Sequence, residues 1–181
     1  MKGIVFDLLQ QTVTNSYGAD TWDTLLDQAG LDGVYTAVGN YPDEQLTTLV
    51  AVGARALDLT PDALTCWFGR ECVPELARRY STFFTPHTTT RDFLLTLNNV
   101  IHPEVRKLFP GAYAPSFDFT HLSDGGLGLG YYSPRKLCSF AEGLIQGAAV
   151  QFGEQVQISH ASCEKRGDAR CVIEVRFVGP T

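Results

Sequence analysis

The chain has 181 residues, 44% hydrophobic and 19% charged, a length and balance expected of one compact domain spanning residues 1–181. A net charge of −6 and a pI near 5.1, with Lys and Arg dispersed, argue against a nucleic-acid partner, because phosphate binding needs a basic face. No apolar run approaches the roughly 18 residues that cross a bilayer, and the opening residues hold Asp7 rather than a basic start and an apolar stretch. A cytoplasmic protein with no membrane partner is therefore expected.

Periodicity predicts helices through the first part. Ile4, Val5, Leu8, Leu9, Thr12 and Val13 recur at helical spacing, as do Leu25, Leu26 and Ala29 in a segment that Gly30 can stop. Pro42-Asp43-Glu44-Gln45 opens a helix through Leu46, Leu49, Val50, Val52 and Gly53. Thr60-Pro61-Asp62-Ala63 opens another, with proline at its first position. After a loop over residues 85–90, Asp92 to Leu97 begins a helix that carries His102. Pro103 lacks the N–H that would reach the Asn99 carbonyl, and it disfavours α geometry at the residue before it. A kink is predicted, with His102 at the junction of two helical pieces. A neutral imidazole beside apolar residues can ligate a metal, although a lone histidine there is more often a hydrogen-bonded structural residue. His87 and His121 lie in polar, turn-rich stretches that point to solvent.

Beyond Pro110-Gly111 the period changes, which makes the fold class α+β: a helical N-terminal part packed on a C-terminal antiparallel sheet with one further helix. Ser116 to Leu122 alternates polar and apolar, Asp124-Gly125-Gly126 signals a turn, and Leu127 to Tyr132 can return antiparallel. Lys136 to Phe152 reads as a helix stopped by Gly153, and Gln155–Ser159 and Cys171–Phe177 as two closing strands.

Within this half Tyr131, Ser133 and Arg135 stand at alternate positions. A phenol, a hydroxyl and a guanidinium presented together suit carboxylates, since the guanidinium fork binds one bidentately and the hydroxyls donate to the same or a second. Alone, the string also fits an edge strand with ordinary polar side chains. It occurs with Met1-Lys2-Gly3-Ile4-Val5-Phe6, Tyr17-Gly18 before Thr21-Trp22, Tyr41-Pro42-Asp43, Phe68-Gly69, the His102 segment and Ala141-Glu142-Gly143-Leu144-Ile145. In that order these motifs resemble the heme nitric oxide/oxygen binding (H-NOX) domains, of the stand-alone bacterial type related to the sensor of soluble guanylate cyclase, along essentially the whole chain.

The resemblance implies the H-NOX fold with heme b buried between the two parts, His102 as axial ligand of the iron, and both propionates gripped by Tyr131, Ser133 and Arg135. It places Phe140 where oxygen-binding members carry a tyrosine, in a pocket with Val5, Leu9 and Leu144, and Pro115 against the porphyrin. Without the heme, Pro115 reads as a loop-to-strand turn and the other four as core. Phenylalanine cannot donate the hydrogen bond that stabilises polarised dioxygen, so nitric oxide, and also carbon monoxide, are the expected gases. The implied output runs in trans to a histidine kinase or a cyclic-di-GMP enzyme.

Cys138, His160, Cys163 and Cys171 form a second candidate site, since three sulfurs and one imidazole are a donor set for closed structural Zn2+. Some bacterial members of the family carry a zinc cluster of this pattern. Buried free thiols and a redox-regulated disulfide are the alternatives. Cys66 and Cys72 are left over and read as core. Nucleophile-elbow, Walker A and dinucleotide motifs are absent, so a sensor is expected and not an enzyme. The competing function is a zinc- and thiol-based redox-responsive interaction module.

Overall fold

Residues 1–180 are described by the computed structural model. Helices α1 (Gly3–Tyr17), α2 (Ala19–Ala29), α3 (Asp43–Ala56) and α4 (Pro61–Glu71) follow the apolar spacing of the sequence. Their buried faces, among them Phe6, Leu8, Trp22, Leu49 and Phe68, make one cluster. Local chemistry sets the helix ends. Gly30 stops α2 in the left-handed conformation at φ 66°, and Thr60 caps α4 by accepting the Ala63 N–H at 3.1 Å, ahead of Pro61.

Helix α5 (Val73–Arg79) follows α4 almost directly, and α6 (Thr90–Leu95) runs into a π-helical segment, Leu97–Ile101, and then α7 (His102–Leu108). His102 stands at the junction of two helical pieces, as expected, but the irregularity is not at the residue before the proline. His102 keeps α geometry (φ −65°, ψ −37°), and the irregularity lies upstream, where the His102 N–H reaches back to the Leu97 carbonyl and the Ile101 N–H to the Thr96 carbonyl at 3.1 Å. These wider turns absorb the donor that Pro103 lacks.

Strands β1 (Ser116–His121), β2 (Leu127–Tyr132), β3 (Glu154–Ser162) and β4 (Cys171–Pro180) form an antiparallel sheet in the order β1-β2-β4-β3. The second cluster, around Leu127, Leu129, Ile173 and Val175, lies under it. Helix α8 (Cys138–Gln151) packs on both the sheet and α4. It starts two residues later than expected because Lys136 takes a φ of 51°, outside the helical region. The backbones of α4 and α8 touch at two glycines: a Cβ on Gly143 would stand 2.0 Å from the Cys66 carbonyl oxygen, and one on Gly69 2.5 Å from that of Phe140. Among the described residues no helix is long and apolar enough to cross a membrane.

An ionic network joins α5 to α1. Glu75 accepts from Arg78 at 2.6 and 2.7 Å and from Arg79, which also bonds Asp7. Hydrogen bonds from Arg78, then Arg79, outweigh partial burial and hold the Glu75 carboxyl at about 2. A depressed folded pKa gives stability that is present above the unfolded value of about 4.3 and lost as pH falls toward the folded one. Glu75→Gln should therefore cost about 1 kcal/mol or less at neutral pH, the network being solvent-screened, and progressively less below pH ~4. Urea melts at both pH values check this; an equal loss at each would count against it.

Candidate ligand cavity and thiol cluster

Between the two apolar clusters lie two neighbouring cavities of about 300 and 490 Å³, with Val5, Tyr113, Pro115, Phe140, Ala141 and Leu144 lining both. His102 lines the smaller, and Tyr131, Ser133 and Arg135 line the larger. Residues from the head of α7, the end of β2 and the turn after it thus converge on one space.

His102 is largely desolvated, its ring 5.9 Å from that of Phe117; its buried Nδ1 makes no hydrogen bond of good geometry, the Pro115 backbone being the polar group that faces the ring. Burial, then the nearby Arg106 charge, lowers its pKa to about 4, so the imidazole is neutral at physiological pH. Leaving a buried polar atom unserved costs roughly 1–3 kcal/mol, and a neutral imidazole in an apolar cavity is a suitable metal donor.

The clamp is pre-positioned by the protein. Tyr131 is buried, burial raises its pKa, and its hydroxyl oxygen accepts the Leu137 N–H at 3.2 Å. Ser133 Oγ accepts the Arg135 N–H at 3.3 Å. Arg135 donates from Nε to Asp43 Oδ2 at 2.7 Å and from Nη1 to the Tyr113 carbonyl at 3.2 Å, with the Tyr113 ring 5.3 Å from its centre. Partial burial would raise the Asp43 carboxyl, but hydrogen bonds from Arg135 and the Met1 amine outweigh it and hold it below the usual range. Asp43 and Tyr113 fix the plane of the guanidinium fork, a role sequence reading missed because Asp43 lies 92 residues from Arg135.

Phe140 stacks on Phe68 with centroids 5.0 Å apart. None of Val5, Phe68, Phe140 and Leu144 carries a side-chain hydrogen-bond donor. Leu9 stands apart from them: it lines a separate apolar cavity of about 80 Å³ together with Phe68.

Beside the clamp, at the same end of β2, three thiols meet. Cys138 opens α8, Cys163 follows β3, and Cys171 opens β4, directly across from Tyr131. The Cys163 sulfur is 3.7 Å from that of Cys138 and 3.8 Å from that of Cys171, and all three lie within 4.8 Å of one another. A tetrahedron with Zn–S bonds of about 2.3 Å has edges of about 3.8 Å, so the spacing fits that ion. His160 turns its Nε2 to Glu142 at 2.9 Å, and that hydrogen bond raises its pKa. The cluster gathers three of the four expected ligand atoms, with His160 beside it.

A family model described as haem-NO-binding matches residues 2–160. An H-NOX protein from S. oneidensis, solved in the Fe(II)NO ligation state, is 31% identical with a TM-score of 0.92, covering 99% of this chain and 100% of that one. An H-NOX domain from Shewanella oneidensis in the Fe(II)CO state is 31% identical with a TM-score of 0.87 over 98% of each chain. The unliganded Fe(II) H-NOX protein from K. algicida, at 24% identity and a TM-score of 0.87 over 99% of this chain and 97% of that one, shares the fold. A match over most of the sequence and a shared fold place the chain in the haem-NO-binding family, the H-NOX domains.

Proposed function

We propose that this protein is a nitric oxide sensor that holds heme b, with His102 as the iron ligand and Tyr131, Ser133 and Arg135 on the propionates. The observation that carries this is the convergence of a neutral, desolvated imidazole and a carboxylate clamp on adjoining cavities. Bound heme would supply a ferrous iron at which a diatomic gas can coordinate. Phe140, with Val5 and Leu144, offers such a gas no hydrogen bond, which disfavours dioxygen far more than nitric oxide or carbon monoxide. Pro115 lines both cavities and would press on the macrocycle when heme is bound.

His102 also connects the site to the surface. Helix α7 has no fully buried residue, Val105 packing half-buried against both clusters, and it continues from the π-helical segment, so displacing its first residue shifts the whole short helix. The signal passes from α7 in trans to an effector, a histidine kinase or a cyclic-di-GMP enzyme. The visible spectrum of the reduced protein tests the reading: a Soret band that shifts on adding nitric oxide supports it, and a colourless protein overturns it in favour of a zinc and thiol redox module.

The thiols favour a structural zinc alongside the sensor function. Cys138, Cys163 and Cys171 supply thiolates, and His160, released from Glu142, completes the set. Metal analysis should find one zinc per chain in the wild type and none in Cys171→Ser, with a lower thermal midpoint for the variant. Metal-free wild type with the same midpoint as Cys171→Ser would refute the assignment.

A further inference from the structure

Asn98, the second residue of the π-helical segment, makes an unusual pair of bonds. Its Nδ2 donates to the Phe117 carbonyl at 2.6 Å, and its Oδ1 accepts the Phe117 N–H at 3.1 Å. One side chain thereby serves both backbone groups of a residue on β1, the edge strand, as a neighbouring strand would. Phe117 is no ordinary attachment point. Its ring lies 5.9 Å from His102 and 5.8 Å from Tyr131, its partner in the β1–β2 register. The bracket therefore ties the root of the His102 helix to the strand residue that touches both the imidazole and the clamp.

The segment so tied has little else to fix its angle. Its amides reach back five residues, Pro103 has no N–H to give, and α7 has no fully buried residue, its Val105 packing half-buried against the two clusters. Among side chains of this length only an amide carries both the donor and the acceptor the bracket needs; aspartate only accepts, and leucine does neither. We infer that Asn98 is the positioning residue of His102, setting how α7 is held against the sheet. This rests on reading His102 as the iron ligand.

The test is backbone hydrogen exchange on the heme-loaded ferrous protein, with the iron–histidine stretching band recorded by resonance Raman. Asn98→Ala and Asn98→Asp should speed exchange at residues 100–108 by about tenfold or more, the expectation for losing one or two hydrogen bonds that gate local opening. Amides of α4, α8 and β3–β4 should keep their wild-type rates, and the iron–histidine band should shift in both variants. Unchanged exchange at 100–108, or acceleration spread evenly over the sheet and α8, would overturn the assignment. Should Asn98→Ala not fold, Asn98→Asp carries the test, since it keeps the volume and the acceptor for the Phe117 N–H. His102→Gly separates the two claims. If it retains the wild-type band, the ligand reading itself falls; if it loses the band while both Asn98 variants behave as wild type, only the role of Asn98 falls.

Discussion

His102→Gly is expected to lose heme on the order of 100-fold faster than the wild type, about 2.7 kcal/mol of retention, with little change in the stability of the heme-free chain. The two halves of this expectation have different origins. Retention falls because, among the described residues, the imidazole is the only side-chain nitrogen lining the smaller cavity, leaving the clamp and apolar contacts to hold the macrocycle. Stability of the heme-free chain hardly moves because two terms oppose. Glycine near a helix start costs up to about 1 kcal/mol. Removing the buried Nδ1, which has only a poorly aligned contact with the Pro115 backbone, returns about 1 kcal/mol. Heme transfer to an excess of a scavenging apoprotein measures the first, and urea melts of heme-free protein the second. Imidazole added to the buffer should restore the iron–nitrogen bond in the space the side chain vacates. An unchanged transfer rate would show that another residue ligates the iron.

Phe140→Tyr is expected to raise oxygen affinity by about 5- to 150-fold, the equivalent of one hydrogen bond of roughly 1–3 kcal/mol in a dry pocket. The added hydroxyl extends the ring beside Phe68, where the adjoining cavities of about 300 and 490 Å³ leave room for it. Nitric oxide affinity should change far less, because that ligand carries little charge for the phenol to meet. Oxygen titrations of the ferrous variant decide the matter. If affinity stays at the wild-type level, Phe140 does not govern gas choice, and the selectivity lies in Val5, Leu144 or the iron itself.

Local signals were legible where one residue type does one job. Gly30 and the Thr60-Pro61 pair marked their helix ends, and the change of period near Pro110 separated helices from sheet. The expected α+β class is the one observed. Signals that depend on distant partners were not legible. Pro103 announced an irregularity, yet the chain placed it upstream, where the Thr96 and Leu97 carbonyls could take the wider bonds. Val5 and Leu9 share a helix face, which the spacing showed. It could not show that one turn, about 5.4 Å, carries Leu9 past the edge of the main cavities to the other side of Phe68. Asp43 gripping Arg135 and Asn98 bracketing Phe117 join segments 92 and 19 residues apart, and no periodicity encodes such pairs.

The face-to-face placement of Tyr131 and Cys171 on β2 and β4 also bears on how the chain can misfold. Strand β2 reads Leu-Gly-Leu-Gly-Tyr-Tyr, and glycine-rich strands hold their alignment weakly. A slip of one residue would turn Tyr131 outward, bring in Tyr132, which normally bonds Asp118 and Arg170 at the surface, and break the bond from the Leu137 N–H to the Tyr131 hydroxyl that seats the start of α8, where Cys138 stands. Cofactor loading and metal loading would then fail in the same molecules. In a heterogeneous preparation, colour and metal content should rise and fall together from fraction to fraction, making pigment a built-in report on strand alignment.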